Sequence, residues 1–274
     1  MADMDMLSAF QYEFIIRAFI AGSFIALVCS VLGVLLVLRR LALIGDGLAH
    51  VTFGSVAVGL LLRQSPTFFA IPIVMVSSLG IMKLMQKARL YGDAAIGMVS
   101  SLGIAGGVII ASLSGGFNVD LFSFLFGNIL AISKPEVLTS IVLSIIVLLV
   151  ITFFYNEYFS TTFDEEFAST SGINVRRVNA LLVLLTGITV VLTMKVVGIM
   201  LTSALLILPA VTALQVAKSF KNSLILSSLA GISSVLAGIY TSFVLNLPTG
   251  ATIVMVNFLL FSAAFLYRRA VSKR

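Results

Sequence analysis

The chain is poor in the residues that cover the surface of a water-soluble protein. Only 10% of its 274 residues are charged and it has no tryptophan, whereas 60% are hydrophobic and the mean hydropathy is +1.18. This composition leaves too little polar surface for a soluble domain of this size. Because helices satisfy their own backbone hydrogen bonds in lipid, we predict an all-α polytopic transmembrane bundle that forms one domain over residues 1–274.

Cysteine and histidine occur once each, at Cys29 and His50. A single cysteine excludes an intrachain disulfide and a cluster of thiolate metal ligands. The chain also lacks the GxxxxGK[ST] loop that cradles ATP phosphates and the HExxH pair of metalloproteases. We therefore expect neither ATP hydrolysis by that loop nor metalloprotease activity from this chain.

The net charge of +6 comes from 17 basic and 11 acidic residues. The basic residues cluster at the ends of apolar runs, so they indicate membrane orientation rather than nucleic-acid binding. All of these clusters fall on one side of the membrane if the N-terminus is outside and the C-terminus is cytoplasmic. The clusters are Arg39–Arg40, Lys83–Arg89, Arg176–Arg177, Lys218–Lys221 and Arg268–Arg274.

Nine apolar runs approach or exceed the length needed to cross the hydrocarbon core. They are Ile15–Leu38, Ile44–Leu62, Phe68–Met85, Ala94–Leu113, Val137–Tyr155, Val178–Met194, Val196–Ala217, Leu224–Leu245 and Ala251–Tyr267. Lys195 divides the sixth run from the seventh, which predicts a tight external turn there. The seventh run carries Thr202, Ser203 and Pro209, which suit either a pathway-lining helix or ordinary close packing between helices.

A further segment, Val119–Ile132, is apolar but short for a full crossing. It either crosses the membrane, or it lies in the interface or re-enters. We favour the second arrangement, because only then do all the basic clusters stay on one side. The expected bundle therefore has about eight to nine spanning helices plus one short interfacial or re-entrant segment.

The second run carries Asp46 and His50, which lie four residues apart and so on one helix face. An acid and an imidazole close to lipid are costly unless a cation, a proton or a partner charge compensates them. Carboxylate oxygen and neutral imidazole nitrogen suit zinc or manganese, and a symmetric homodimer would supply two of each. The alternative is a structural hydrogen bond, or a pairing of Asp46 with Arg40.

The longest polar stretch is Tyr155–Asn179, which on this topology is cytoplasmic. It starts with the acidic run Asp164–Glu166 and ends with Arg176–Arg177, a charge order that favours a short helix. Thr161 or Thr162 would cap such a helix. A solvated loop is the alternative.

Four segments taken in order resemble the membrane permeases of metal-cation ABC importers, and together they cover nearly the whole chain. They are LIGDGLAHVTFGSVAVGLLL, VDLFSFLFGNILAIS, DEEFASTSGINVRRVN and KVVGIMLTSALLILPAVTA. The resemblance implies a transport subunit of a bacterial cell membrane and not an enzyme. It implies a homodimeric permease in the lipid bilayer, two cytoplasmic ATPase subunits that hydrolyse the ATP, and an extracellular metal-binding protein.

The same resemblance assigns roles to individual residues. Asp46 and His50 match the family's Asp-x-x-x-His pair in the metal pathway, with no cofactor bound permanently and Zn²⁺ or Mn²⁺ as the transported ion. The Gly-Asp-Gly-Leu-Ala-His version favours zinc, with manganese next. A coupling segment at about 160–177 would dock on the ATPase through the following residues: Asp164, Glu165, Glu166, Phe167, Gly172 and Asn174.

Two other classes of function remain open at this point. A proton-driven secondary metal transporter would use Asp46 and His50 as relay groups. An intramembrane enzyme would need a catalytic constellation that the sequence does not offer. Tight association with an ATPase distinguishes the importer from the secondary transporter.

Overall fold

The computed structural model describes residues 12–87, 91–113 and 132–271, and within these ranges it contains helices and no strand. The helices are α1 (Glu13–Leu38), α2 (Ile44–Leu61), α3 (Pro66–Lys87), α4 (Gly92–Leu113), α5 (Lys134–Phe153), α6 (Tyr155–Phe163), α7 (Glu165–Thr170), α8 (Val175–Val197), α9 (Ile199–Val216), α10 (Phe220–Leu245) and α11 (Thr249–Val271).

Among the described residues, eight helices are long and apolar enough to cross a membrane: α1 to α5, α8, α10 and α11. The ninth predicted span corresponds to α9, a shorter apolar helix of 18 residues, or about 27 Å. The prediction of a helical membrane bundle with eight to nine spans is therefore confirmed.

The bundle has two ends, which we name by the residues found there. At the Arg39 end, the end of α1 contacts α6 and the start of α8 through hydrogen bonds of Arg39 to Thr161 and Asn179. At the Glu13 end, the start of α1 contacts the start of α5 through Glu13 and Lys134, whose charged atoms are 3.1 Å apart.

Helix directions follow from these contacts. Helix α2 starts at the Arg39 end, and α4 runs alongside it in the same direction, since Gly47 packs on Ile96 and Gly54 on Gly103. Helix α4 therefore ends, and α5 begins, at the Glu13 end. The segment Val119–Ile132 lies almost wholly outside the described residues. Its flanking helices meet the same end of the bundle, as the interfacial or re-entrant reading requires.

The basic residues at described helix ends lie mainly at the Arg39 end. Phe220 at the start of α10 contacts the rings of Tyr155 and Phe159 in the segment that holds Thr161, which places the α9–α10 connection at this end. Arg268 near the end of α11 donates a hydrogen bond to Gln215 near the end of α9, at 3.0 Å. This grouping of charge is the pattern that set the predicted orientation.

Helix α2 lies at the centre of the bundle, and small residues allow its neighbours to approach closely. A Cβ added at Gly103 of α4 would lie 2.8 Å from the Cα of Val51 in α2, so a larger side chain would force the two backbones apart. The main buried core lies along α1, α2, α8 and α9, whereas α4, α5 and α11 bury only a minority of their residues. The outer helices therefore leave wide apolar faces for lipid or for another protein.

Two boundaries differ from the sequence prediction. Helix α5 starts at Lys134 rather than Val137, because Ser133 and Glu136 form a capping box and Pro135 fits the first turn. The division between α8 and α9 lies at Gly198, not at Lys195. Gly198 adopts a φ of +82°, a conformation that glycine adopts without a steric penalty.

Candidate metal site and coupling segment

Asp46 and His50 lie in the first two turns of α2 and face the same direction. The Nε2 atom of His50 is 3.6 Å from Oδ2 of Asp46, as expected for residues one helical turn apart. Their side chains are 29% exposed for His50 and 44% exposed for Asp46. The pair is therefore held in one place but remains accessible from outside the bundle.

Asp46 also contacts α9. The hydroxyl of Ser203 donates a hydrogen bond to Oδ1 of Asp46 at 2.9 Å. An interhelical hydrogen bond, one of the structural alternatives, is thus formed. The pairing with Arg40 is not formed, since Asp46 interacts with His50 and Ser203 instead. Ser203 holds one carboxylate oxygen and leaves part of the side chain open to a further ligand.

Three neighbouring helices pack around the first turns of α2. Gly45 packs against Leu206 of α9, Gly47 against Ile96 of α4, and Leu48 against Gly187 of α8. Asp46 and His50 are exposed at the remaining opening, which lies between α4 and α9. The two side chains therefore face a gap in the surface of the monomer rather than a closed cavity.

The donor set in one chain is incomplete for a stable metal site. Among the described residues, no group of three or more His, Cys, Asp or Glu side chains is close enough to hold a metal ion. A carboxylate and an imidazole supply two ligands, whereas zinc sites usually need four. Either water or a second chain would have to complete the coordination shell.

The predicted coupling segment forms two short helices, α6 and α7, followed by a turn. The N-cap of α7 is Asp164, whose side chain accepts a hydrogen bond from the backbone N–H of Phe167 at 2.9 Å. The expected caps Thr161 and Thr162 are wrong, because their hydroxyls lie inside α6 and donate to carbonyls of the preceding turn. The helical reading of this stretch holds, and the loop reading does not.

The six predicted coupling residues divide by their contacts. Asn174 caps α8 by accepting from the N–H of Arg177 at 3.1 Å, and Gly172 makes the preceding turn with a φ of +89°. Glu166 is exposed, and the ring of Phe167 is 64% exposed. These last two present an acidic and an aromatic group on the outer surface at the Arg39 end.

Glu165 is also exposed, but it takes part in a network of side-chain hydrogen bonds within the protein. One oxygen of Glu165 accepts a hydrogen bond from the Asn179 amide at 3.2 Å, and the Asn179 carbonyl oxygen accepts from Arg39. Arg39 also donates to the hydroxyls of Thr161 and Thr162. This network joins the end of α1, the helix pair α6–α7 and the first turns of α8. Its central residue, Arg39, lies five residues before the start of α2.

Burial shapes the electrostatics of this network. Removal from water lowers the pKa of the Arg39 guanidinium, whereas the nearby Glu165 carboxylate raises it. The guanidinium stays charged at neutral pH in either case. Its charge lies 5.8 Å from the ring centre of Tyr158, which is fully buried. Burial raises the pKa of the Tyr158 hydroxyl, so that group stays neutral beside the cation.

Sequence reasoning missed Arg39 and Asn179 as members of this site. The sequence pattern indicates Arg39 only as part of a basic cluster that sets orientation, and Asn179 only as the end of a polar stretch. A polar amide in the first turns of an otherwise apolar helix was the available signal, because such a group near lipid needs a partner.

Comparison with known proteins places this arrangement in context. The family model described as "ABC 3 transport family" matches residues 11–268. The manganese transport system membrane protein MntC of Listeria monocytogenes is 34% identical over 257 residues, covering 94% of this chain and 91% of the relative. The high-affinity zinc uptake system membrane protein ZnuB of Haemophilus influenzae is 28% identical, covering 96% and 99%.

A solved structure titled "PsaBC from Streptococcus pneumoniae in complex with Fab" contains a chain with the same fold. The TM-score is 0.85 at 30% sequence identity, and the match covers 94% of each chain. The likeness therefore extends over nearly the whole length of both chains.

Proposed function

The chain belongs to the ABC 3 transport family, and on that premise we propose that it is the membrane-spanning permease of an ATP-binding cassette importer for divalent transition-metal ions. The observation that carries the proposal is the Asp46–His50 pair, which is accessible at the gap between α4 and α9. The relatives support it as well, since their names specify manganese transport or zinc uptake.

The transported ion is manganese or zinc. Oxygen from Asp46 and nitrogen from His50 suit both ions, so the donor atoms alone do not select one. The sequence motif favoured zinc. The manganese transport relative is more similar to this chain than the zinc uptake relative, and we therefore place manganese first and zinc next.

Two copies of the chain would complete the site. A two-fold axis passing the gap between α4 and α9 would bring two carboxylates and two imidazoles around one ion. A site assembled from two halves can open and close as the copies move, which suits an ion that must be released.

The proposed assembly places the Arg39 end in the cytoplasm. The grouping of basic residues there supports this orientation, with the N-terminus outside and the C-terminus inside a bacterial cell membrane. Glu166 and Phe167 then face a cytoplasmic ATPase subunit, one for each permease copy. The Glu13 end faces outward and receives the ion from an extracellular metal-binding protein.

In this mechanism the ATPase pair moves α6 and α7, and the motion reaches the ion site through Arg39. The Arg39 network links the docking helices to the end of α1, and five residues later α2 begins with Asp46 in its first turn. Alternation between two arrangements of these helices would expose the pair first outward and then inward. The carboxylate and imidazole replace part of the hydration shell during passage.

Metal uptake tests the proposal directly. We expect Asp46→Ala and His50→Ala each to reduce accumulation of radioactive manganese to background in cells that lack the native copy, with unchanged amounts of protein in the membrane. Asp93→Asn is the matched control, because Asp93 is an exposed carboxylate in the first turn of α4. Normal uptake in either alanine variant would refute the assignment.

Energy coupling separates the importer from a proton-driven transporter. The importer should co-purify with an ATPase, and its uptake should stop when the ATPase is inactivated. Uptake by the chain alone that follows the proton gradient would favour the secondary transporter.

A further inference from the structure

An apolar groove lies between α3 and α4, and its floor is one face of α2. Its volume is about 680 Å³, within the range of about 300–1,000 Å³ for pockets that hold small molecules. Val76 of α3 and Leu102 of α4, which line it, are 72% and 68% exposed. The groove is therefore open along its length to whatever surrounds the bundle.

Glycines account for the shape of the groove. Gly54 of α2 and Gly103 and Gly107 of α4 let the two backbones touch, since a Cβ at Gly54 would lie 2.5 Å from the carbonyl oxygen of Gly103. Gly80 and Gly106 line the same groove but have no atom within 4 Å of an added Cβ. The first set thus brings α4 against α2, and the second set leaves empty volume beside the contact.

The groove is separate from the ion site. Three of its residues on α2, Val51, Ser55 and Val58, lie on a different face from Asp46 and His50, and the fourth, Gly54, lies at the contact with Gly103 of α4. Helix α4 stands between the two, with the ion site toward α9 and the groove toward α3. An occupant of the groove would therefore not obstruct the gap between α4 and α9.

The part of the groove that lies beyond its two lysines is about as long as one leaflet is thick. On α3 this part runs from Ile73 to the first lysine, Lys83, which is ten residues or about 15 Å of helix. The hydrocarbon core of a bilayer is about 30 Å, so a single leaflet contributes about half of that length. An extended acyl chain of one leaflet therefore matches the groove in length and in polarity.

Two lysines stand at one end of the groove. Lys83 and Lys87 are one helical turn apart on the same face of α3, and both line the groove at the Arg39 end. Both are exposed, and neither forms an ion pair within the described ranges 12–87, 91–113 and 132–271. Two neighbouring ammonium groups above an apolar groove present the charge that an anionic headgroup requires.

We propose that this groove binds one anionic phospholipid from the leaflet at the Arg39 end, with an acyl chain between α3 and α4 and its phosphate between the amines of Lys83 and Lys87. The apolar lining accounts for the chain, and the paired amines account for the sign of the headgroup charge. A second copy of this permease fits less well, because a symmetric contact through this face would bring four ammonium groups together.

Lipid titration followed by native mass spectrometry tests the proposal on the purified, delipidated full chain. We expect phosphatidylglycerol to bind more tightly than phosphatidylcholine with the same acyl chains. The double variant Lys83→Gln/Lys87→Gln should lose this preference, by about fivefold for each lysine. Lys218→Gln/Lys221→Gln is the matched control, because it removes the same charge at the same end, outside the groove, and should retain the preference.

A second variant tests the apolar part. Gly106→Leu places a side chain in the open volume and should weaken binding of both lipids, while the melting temperature stays unchanged. Equal effects of the two lysine pairs would overturn the proposal, as would glycerol phosphate competing as well as the intact lipid. Efficient cross-linking of Leu102→Cys between two copies in the membrane would also overturn it, by showing a protein in the groove.

Discussion

Replacing Arg39 by methionine should destabilise the protein strongly, because Arg39 joins three parts of the bundle. Its guanidinium donates to Thr161, Thr162 and Asn179, and its charge lies near the Tyr158 ring. Methionine fills a similar volume along the stem but donates no hydrogen bond. The variant therefore removes the head group while leaving most of the apolar packing in place.

The size of the effect follows from the fate of each partner. Hydrogen bonds to a charged group contribute about 1.5–3 kcal/mol each. The hydroxyls of Thr161 and Thr162 still donate to backbone carbonyls without Arg39, and the Asn179 amide still donates to Glu165. The acceptor that loses its donor is the half-buried Oδ1 of Asn179, and we expect a net loss of about 2–3 kcal/mol, or a fall in the melting temperature of about 5–10 °C.

The chain itself supplies a suitable assay for unfolding. Cys29 is its only cysteine and is fully buried, so a thiol-reactive fluorescent dye reports the melting of the purified protein in detergent. Arg40→Met is the matched control, because Arg40 is adjacent, exposed and outside the network. Arg39→Lys keeps the charge but not the forked geometry and should melt between the two. Equal melting of the Arg39→Met and Arg40→Met variants would refute the reasoning.

Two further predictions concern helix contact and coupling. Gly103→Val should reduce both the folded yield and metal uptake, because its side chain would meet the α2 backbone at Val51; gel filtration and uptake measure this, and Gly106→Val is the control with open space. Phe167→Ala should weaken transport-linked ATP hydrolysis by the assembled transporter without changing the melting temperature, since the ring is 64% exposed. Ser169→Ala serves as its control, and coupling that is unchanged in Phe167→Ala would contradict the docking role.

The fold is largely predictable, because the length and hydropathy of an apolar run indicate a membrane-spanning helix. Each predicted span corresponds mainly to one helix, and the boundary errors arise where local chemistry moves a helix end, as at Ser133 and Gly198. A capping box and a glycine with positive φ each fix a helix end through three or four residues. A hydropathy average over about 20 residues does not detect such a short signal.

The candidate site was predictable only within one helix. The spacing of Asp46 and His50 placed them together, since residues four apart share a helix face. The contact of Asp46 with Ser203 spans 157 positions of sequence, and that of Arg39 with Asn179 spans 140. Such contacts depend on which helices are neighbours, and hydropathy carries no information about that.

The close packing around α2 has a consequence for how a lineage can change its ion. Gly45 and Gly47 pack against Leu206 and Ile96, so a larger residue at either position requires one of those side chains to shift. Under the proposed function, substitutions that alter ion selectivity are therefore expected on the side facing the gap, among residues of α4 and α9. Permeases for manganese and permeases for zinc should differ most on that side and least at Gly45 and Gly47.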